Sequence, residues 1–355
     1  MRRPRRPGPS ASTRRSRSSA RARSGEVRAI PDEKFESREQ RDAAVTRAQT
    51  LTDGYREGMA EARGRAFIGT SAWQKDAWNG TFYPSGLAKT KELAYFAARL
   101  STVEVNSTYH GLQSPSTFLK WHDAVPEHFV FAVKAHGAIT HERRLRGAEH
   151  EVAAFLASGP LLLREKLGPF LWQLPPTLAF DPELIDGFLA ALPRSVDEAR
   201  SFIARHGGQV DDELAKVPDR PLRHSMEVRH GSFVNERYLE LLRRHGVAAV
   251  ITNSTERPVI DAVTADFVYV RFEDTRRRFP EGQTPEDLEH HAARVRAWLA
   301  GAGPDGAGRD VFFYFDDPDY KTTPTDRPPF DAIALQRLVG AAPLVAGATL
   351  QTSLW

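Results

Sequence analysis

The sequence contains no cysteine. Disulfides, thiolate metal centres and cysteine nucleophiles are therefore excluded, and the chain suits a reducing cytoplasm, the location expected for it. No apolar run approaches the roughly 18 residues of a membrane span, so no membrane partner is expected. The phosphate loop of P-loop hydrolases, the G-x-S-x-G elbow of esterases and the H-E-x-x-H pair of zinc proteases are all missing. "IGTSAW" at 68–73 is not the G-x-G-x-x-G of a dinucleotide site, and no organic cofactor motif stands elsewhere. No period of the solenoid kind runs through the chain.

Lysine is absent from residues 1–30, where Glu26 is the one acid among ten arginines. The net charge of +3 and pI near 9.1 therefore belong to this end, since the rest holds 39 basic and 45 acidic residues, a net of −6. Residues 1–30 are rich in Arg, Ser, Pro and Ala without apolar period, which predicts a disordered basic tail. A nucleic-acid partner is an expectation this tail alone raises. Residues 31–65 are polar and helix-prone with a weak apolar stripe, a loosely packed helix or linker. Residues 346–355 are set apart as a C-terminal tail.

Between them, 66–345 read as one domain. Eight short β-prone runs appear: 66–70, 102–106, 129–135, 169–174, 224–229, 247–253, 266–272 and 310–315. Helical stretches lie between most of them, at 89–100, 114–125, 151–167, 181–193, 235–246 and 285–301. The connection 254–265 is short enough to hold only a turn of helix. Strands alternating with helices predict a parallel sheet, and eight of them predict an α/β fold closed as a (β/α)₈ TIM-type barrel. A doubly wound open sheet is the alternative.

Parity then sorts the strand residues. In a closed barrel alternate side chains point to the helices or to the interior. With Val103 and Val105 outward, Glu104 and Asn106 point inward. Lys134 follows the same rule against Phe131 and Val133, as do Glu227 and Arg229 against Met226 and Val228. Gln173, Arg271 and Asp316 come at or just beyond the C-terminal ends of their strands, where catalytic groups of such barrels gather. His141 and His230 follow the third and fifth strands and can reach the mouth as acid, base or ligand. His110 and His136 are placed similarly. Trp73, Tyr109 and Trp172 are candidates to line the pocket and stack on a sugar or base. Gln173 begins "QLPP", whose prolines fix a turn.

Short motifs carry a family resemblance: "IGTSAW" (68–73), "FYP" (82–84), "VEVNSTYH" (103–110), "FAVKA" (131–135), "ITH" (139–141), "QLPP" (173–176), "EVRHGSF" (227–233), "ADFVYVRF" (265–272) and "FFYFDD" (312–317). In this order they resemble the YecE-like family, domain of unknown function 72, over about residues 66 to 340. The resemblance implies a TIM-type barrel and little about chemistry, because no activity is established for that family. This sequence departs from the family pattern at Ala72, where glycine is usual, and at Phe272-Glu273-Asp274, where Leu-His-Gly is usual. Asn253 stands for a common acid, and Asp316-Asp317 for paired asparagines.

The inward charges support two readings. One is an internal ion-pair lattice that fixes the barrel, since buried ions must pair. The other is acid–base catalysis by Glu104, Glu227, His141 and His230, with Trp73, Asn106, Tyr109, Lys134, Gln173, Arg229, Arg271 and Asp316 binding substrate. That reading makes the chain a hydrolase, lyase or isomerase acting on a small phosphorylated, carboxylated or sugar-containing ligand at the mouth. A divalent metal on Glu104, Glu227, His230 and Asp316 is chemically sensible, though no short ligand motif supports it. The alternative from another class is a nucleic-acid-binding or processing protein, with the Arg-rich tail on the backbone and the mouth around an extruded base.

Overall fold

Valine, isoleucine and aromatic residues crowd the eight β-prone runs, and in the computed structural model each forms a strand. The structure describes residues 64–254, 257–272, 282–316 and 326–341. The expected basic tail, the C-terminal tail and all of the 31–65 segment except its last two residues lie outside the described residues.

The strands are β1 (Ala66–Thr70), β2 (Thr102–Val105), β3 (Val130–Lys134), β4 (Leu167–Gln173), β5 (His224–Glu227), β6 (Ala248–Thr252), β7 (Phe267–Phe272) and β8 (Asp310–Phe315). Each pairs in parallel with the next, and β8 returns to pair with β1 from Ala66 opposite Val311 to Thr70 opposite Phe315. The ring is closed, so the open-sheet alternative is set aside. This is a (β/α)₈ barrel.

The outward strand residues, among them Val103, Val105, Phe131, Val133, Trp172 and Met226, join the helices in one large hydrophobic cluster. A second cluster fills the interior with Phe67, Ala132, Leu171, Phe267, Tyr269, Phe312 and Tyr314 among its members. Phe67 and Phe312 stack there with ring centroids 4.7 Å apart. The interior is thus apolar low down, while the polar inward residues take the C-terminal end. Tyr314 marks the boundary, its hydroxyl 2.9 Å from Thr102 Oγ1.

Two helical expectations change. The stretch 151–167 is not one helix. A helix covers Glu149–Ala157, Gly159 turns the chain at φ 122°, and a tighter helical segment, Pro160–Lys166, leads into β4. Only glycine takes that φ at little cost. A further helix, Val196–Arg205, was not anticipated; Ser195 caps it, accepting from the Glu198 amide. The connection from β6 to β7 holds no helix among its described residues. No helix among the described residues is long and apolar enough to cross a membrane.

Gly69 shows how tightly the ring closes. A Cβ built on it lies 1.9 Å from the carbonyl oxygen of Thr102 on β2. Gly69→Ala should therefore push β1 from β2 and cost about 1–3 kcal/mol, as overpacking does. Urea unfolding measures this, and an unchanged midpoint would show that the two strands separate freely.

Candidate active site at the barrel mouth

Arg271, one residue before the end of β7, is 1% exposed and spreads its guanidinium across the top of the interior. Its Nε donates to Glu104 Oε2 of β2 at 3.0 Å, Nη1 to Glu227 Oε2 of β5 at 2.6 Å and Nη2 to Asp316 Oδ2, just past β8, at 2.8 Å. Such a planar fork suits three carboxylates in a way that a lysine point charge does not. Further donors complete the layer. The Tyr269 hydroxyl donates to Glu104 Oε2 at 2.6 Å, and the Gln173 amide to Glu227 Oε2 at 2.8 Å. Arg229 Nε reaches Glu227 Oε1 at 2.7 Å, and the Ser71 hydroxyl donates to Asp316 Oδ1. Asn106 donates to the Ser71 carbonyl at 2.8 Å, while its own buried Oδ1 accepts no hydrogen bond among the described residues.

Glu104, Glu227 and Arg271 are almost wholly buried, so this layer is a floor. Above it stand partly exposed groups: Lys134, Tyr109, Arg229 and His141. Lys134 Nζ sits 4.5 Å from the centre of the Tyr109 ring, and the His141 ring meets Tyr109 edge-on at 5.0 Å. His141 Nδ1 lies 2.9 Å from Thr140 Oγ1.

Burial and charge set the protonation states. Burial pushes the Glu104 carboxyl above its ordinary value, and its share of Arg271 does not restore it. Burial pushes Glu227 the same way, but Arg229, Arg271 and the Gln173 amide together hold it well below the carboxylate range. Asp316 is likewise raised by burial yet held low by Arg271 and Ser71. The difference between the two glutamates follows from one guanidinium against two. Burial, then Arg271, brings Lys134 down to about 8. Burial, Lys134 and Arg229 lower His141, which keeps its ring neutral at pH 7.

Not every expected residue faces the pocket. Trp172 is fully buried on the outer face of β4, its indole donating to His224 Nδ1 at 3.1 Å, so its expected place in the pocket is corrected by strand parity. Trp73 is 7% exposed and packs edge-on against Trp121 in the outer cluster, leaving little ring face to stack on a ligand. His230 turns Nδ1 to its own loop, accepting from the Ser232 amide at 3.2 Å and meeting Ser232 Oγ at 2.8 Å. It caps a short helical turn. His136 Nδ1 similarly accepts from the Ala138 amide, and His110 packs against Tyr109.

Among the described residues no group of three His, Asp or Glu is arranged to hold a metal. Glu104, Glu227 and Asp316 do converge, but on a guanidinium, which fills the position a divalent ion needs. A separate groove of about 380 Å³ opens between the helices Glu149–Ala157 and Pro182–Ala191. Leu145, Val152, Leu184, Phe188 and Phe202 line it together with Arg146, Glu149 and Glu183, and none of the residues of the mouth takes part in it. Ser71 and Tyr269 were not singled out from sequence, although alternation carried the signal, as Phe67-Gly69-Ser71 and Tyr269-Arg271 share a parity.

The fold and this mouth define a TIM-barrel protein whose polar groups meet at the catalytic end. The family model for "Protein of unknown function DUF72" matches residues 67–352, and the chain belongs to that family. UPF0759 protein YunF of Bacillus subtilis (strain 168) is 30% identical over 115 residues, 31% of this chain and 40% of that protein's length. A DUF72 family protein of Thermotoga maritima MSB8 superposes with a TM-score of 0.55 at 22% identity, over 78% of this chain and 99% of that one. One from Enterococcus faecalis V583 gives 0.54 at 18%, over 79% and 99%. These likenesses show the fold.

Stability should follow these protonation states. Glu227 and Asp316, lowered in the fold, stabilise it above the unfolded carboxylate value near 4, and that contribution is lost as pH falls further. Glu104, raised in the fold, works against it as pH climbs past the same value. Arg271→Met strands three carboxylates and should cost about 3–5 kcal/mol near neutral pH. The deficit should shrink toward about pH 5 as the stranded groups take up protons. Urea denaturation at both pH values measures it; a loss below about 1 kcal/mol would mean that the carboxylates do not depend on Arg271.

Proposed function

We propose that this protein is an enzyme using acid–base chemistry at the C-terminal mouth of the barrel on a small molecule that carries a phosphate or carboxylate. The supporting observation is the division of the mouth into a neutralised floor and a partly open rim bearing Lys134 and Arg229 beside His141. Two cations at an accessible, low-dielectric rim favour an anionic ligand group. A neutral imidazole close to both is suited to take and return a proton.

In this reading Glu227 is a permanent anion that positions Arg229, since its two oxygens are held by two guanidinium groups and an amide. Glu104, whose carboxyl is pushed up, is the acid in the floor able to change its charge. Tyr109 remains the aromatic face for a sugar or other ring. A hydrolase, lyase or isomerase fits this set equally. A nucleic-acid role rests on the composition of residues 1–30 alone. Salt-dependent affinity that disappears on their removal would place it there rather than in the barrel.

Calorimetry at low ionic strength, with inorganic phosphate and small sugar phosphates and carboxylates, tests the reading. One anion should bind per chain, and Arg229→Gln should weaken it at least about tenfold, or about 1.4 kcal/mol. His141→Gln should keep most of the binding and lose turnover of whichever ligand is processed. If no anion binds, or Arg229→Gln changes nothing, the reading is wrong.

A further inference from the structure

The six carboxylate oxygens of Glu104, Glu227 and Asp316 each accept at least one hydrogen bond, from Arg271, Arg229, Tyr269, Gln173 or Ser71. Lys134 supplies none of them. Its Nζ makes no hydrogen bond and no ion pair among the described residues. Its contact is the Tyr109 ring face, 4.5 Å away. An ammonium partly buried beside three acids would ordinarily take one as its partner. Here the arginines have taken them all. Lysine is also the wrong choice for a purely structural cation, which arginine fills with five donors.

We infer that Lys134 condenses with an aldehyde or ketone group of an anionic small molecule, forming an imine in the mouth of the barrel. This rests on the acid–base site proposed above and names its nucleophile. The Nζ lone pair attacks the carbonyl carbon while the C=O π pair moves to oxygen, which is protonated. Nζ loses a proton, giving a carbinolamine. The C–O bond then breaks, the oxygen takes a proton and leaves as water, the nitrogen lone pair forms the C=N bond, and the protonated imine gives up the second Nζ proton, which replaces the one taken by the water. Amine and carbonyl become imine and water, with no oxidant or reductant. His141, whose ring meets the same Tyr109, carries the protons between steps. Arg229 holds the anionic group.

The charged and titratable groups facing Lys134 are Arg271, Glu104, Glu227 and Asp316 from the floor, with Tyr109, His141 and Arg229 at the rim. Burial and Arg271 outweigh the acids and lower Lys134 to about 8, against 10.5 for an ordinary lysine. At pH 7 the uncharged, nucleophilic fraction is then roughly 300-fold larger than on an exposed lysine.

The test uses the full chain, glyoxylate as an anionic aldehyde, and sodium cyanoborohydride, whose hydride fixes the imine as a secondary amine. Peptide mass mapping follows the carboxymethyl product at each of the nine lysines. Lys134 should label at least about tenfold faster at pH 7 than the exposed Lys89 and Lys91, with the advantage shrinking as pH rises toward about 10. Lys134→Arg should abolish only that label. Equal or slower labelling of Lys134 overturns the inference. Phosphate binding by calorimetry, read on the same preparation, separates the two proposals. Bound phosphate without preferential labelling sinks the imine and keeps the anion site, whereas preferential labelling without any anion binding keeps Lys134 as the imine-forming amine and overturns both the anion site and the anionic character of its ligand.

Discussion

A single buried guanidinium organises the upper half of this barrel. Arg271 belongs to β7 yet donates to β2, β5 and the end of β8, so it ties the ring across its interior as well as along its edges. A charge at 1% exposure survives only with full pairing, because the desolvation cost of each ion is several kcal/mol. The three acids are in turn restricted to the rotamers that reach it, and the tyrosine, the amide and the serine to those that reach the acids. The shape of the mouth is inherited from that requirement.

The two readings open at the sequence level are thereby divided between two heights in one site. The lattice is the floor. The rim is where Lys134, Tyr109, Arg229 and His141 reach solvent. Fixing the acids to arginines also changes the character of what remains. Among the described residues Lys134 makes no ion pair, and burial and Arg271 lower its proton affinity further than the neighbouring acids raise it.

Much of this was legible in the sequence because a strand has period two. β1 and β8 begin and end where their apolar runs do, and the inward placing of Glu104, Lys134, Glu227 and Arg271 follows from the valines beside them. Parity also had the information to reject Trp172, which neighbours Gln173 and must face the other way. What alternation could not supply was pairing. Which acid Arg271 holds depends on the stagger of strands far apart in sequence, and β2 and β7 are separated by 165 residues between Glu104 and Tyr269. Loop residues escape parity altogether, so Trp73 and His230 were placed by proximity and proved to serve their own packing and capping. The break at Gly159 was missed because apolar spacing continues across it, while its φ is a property of the backbone.

The aromatic filling below the floor has its own consequence. Phe67, Phe267 and Phe312, with Tyr269 and Tyr314 above them, leave the interior packed from the N-terminal end upward. Among the described residues this aromatic layer closes the interior from below. A ligand of the kind proposed above would enter and leave on the same side, so two occupants would exclude one another and a departing molecule would obstruct the next arrival. In an enzyme of the kind proposed above, product inhibition would take the form of simple competition.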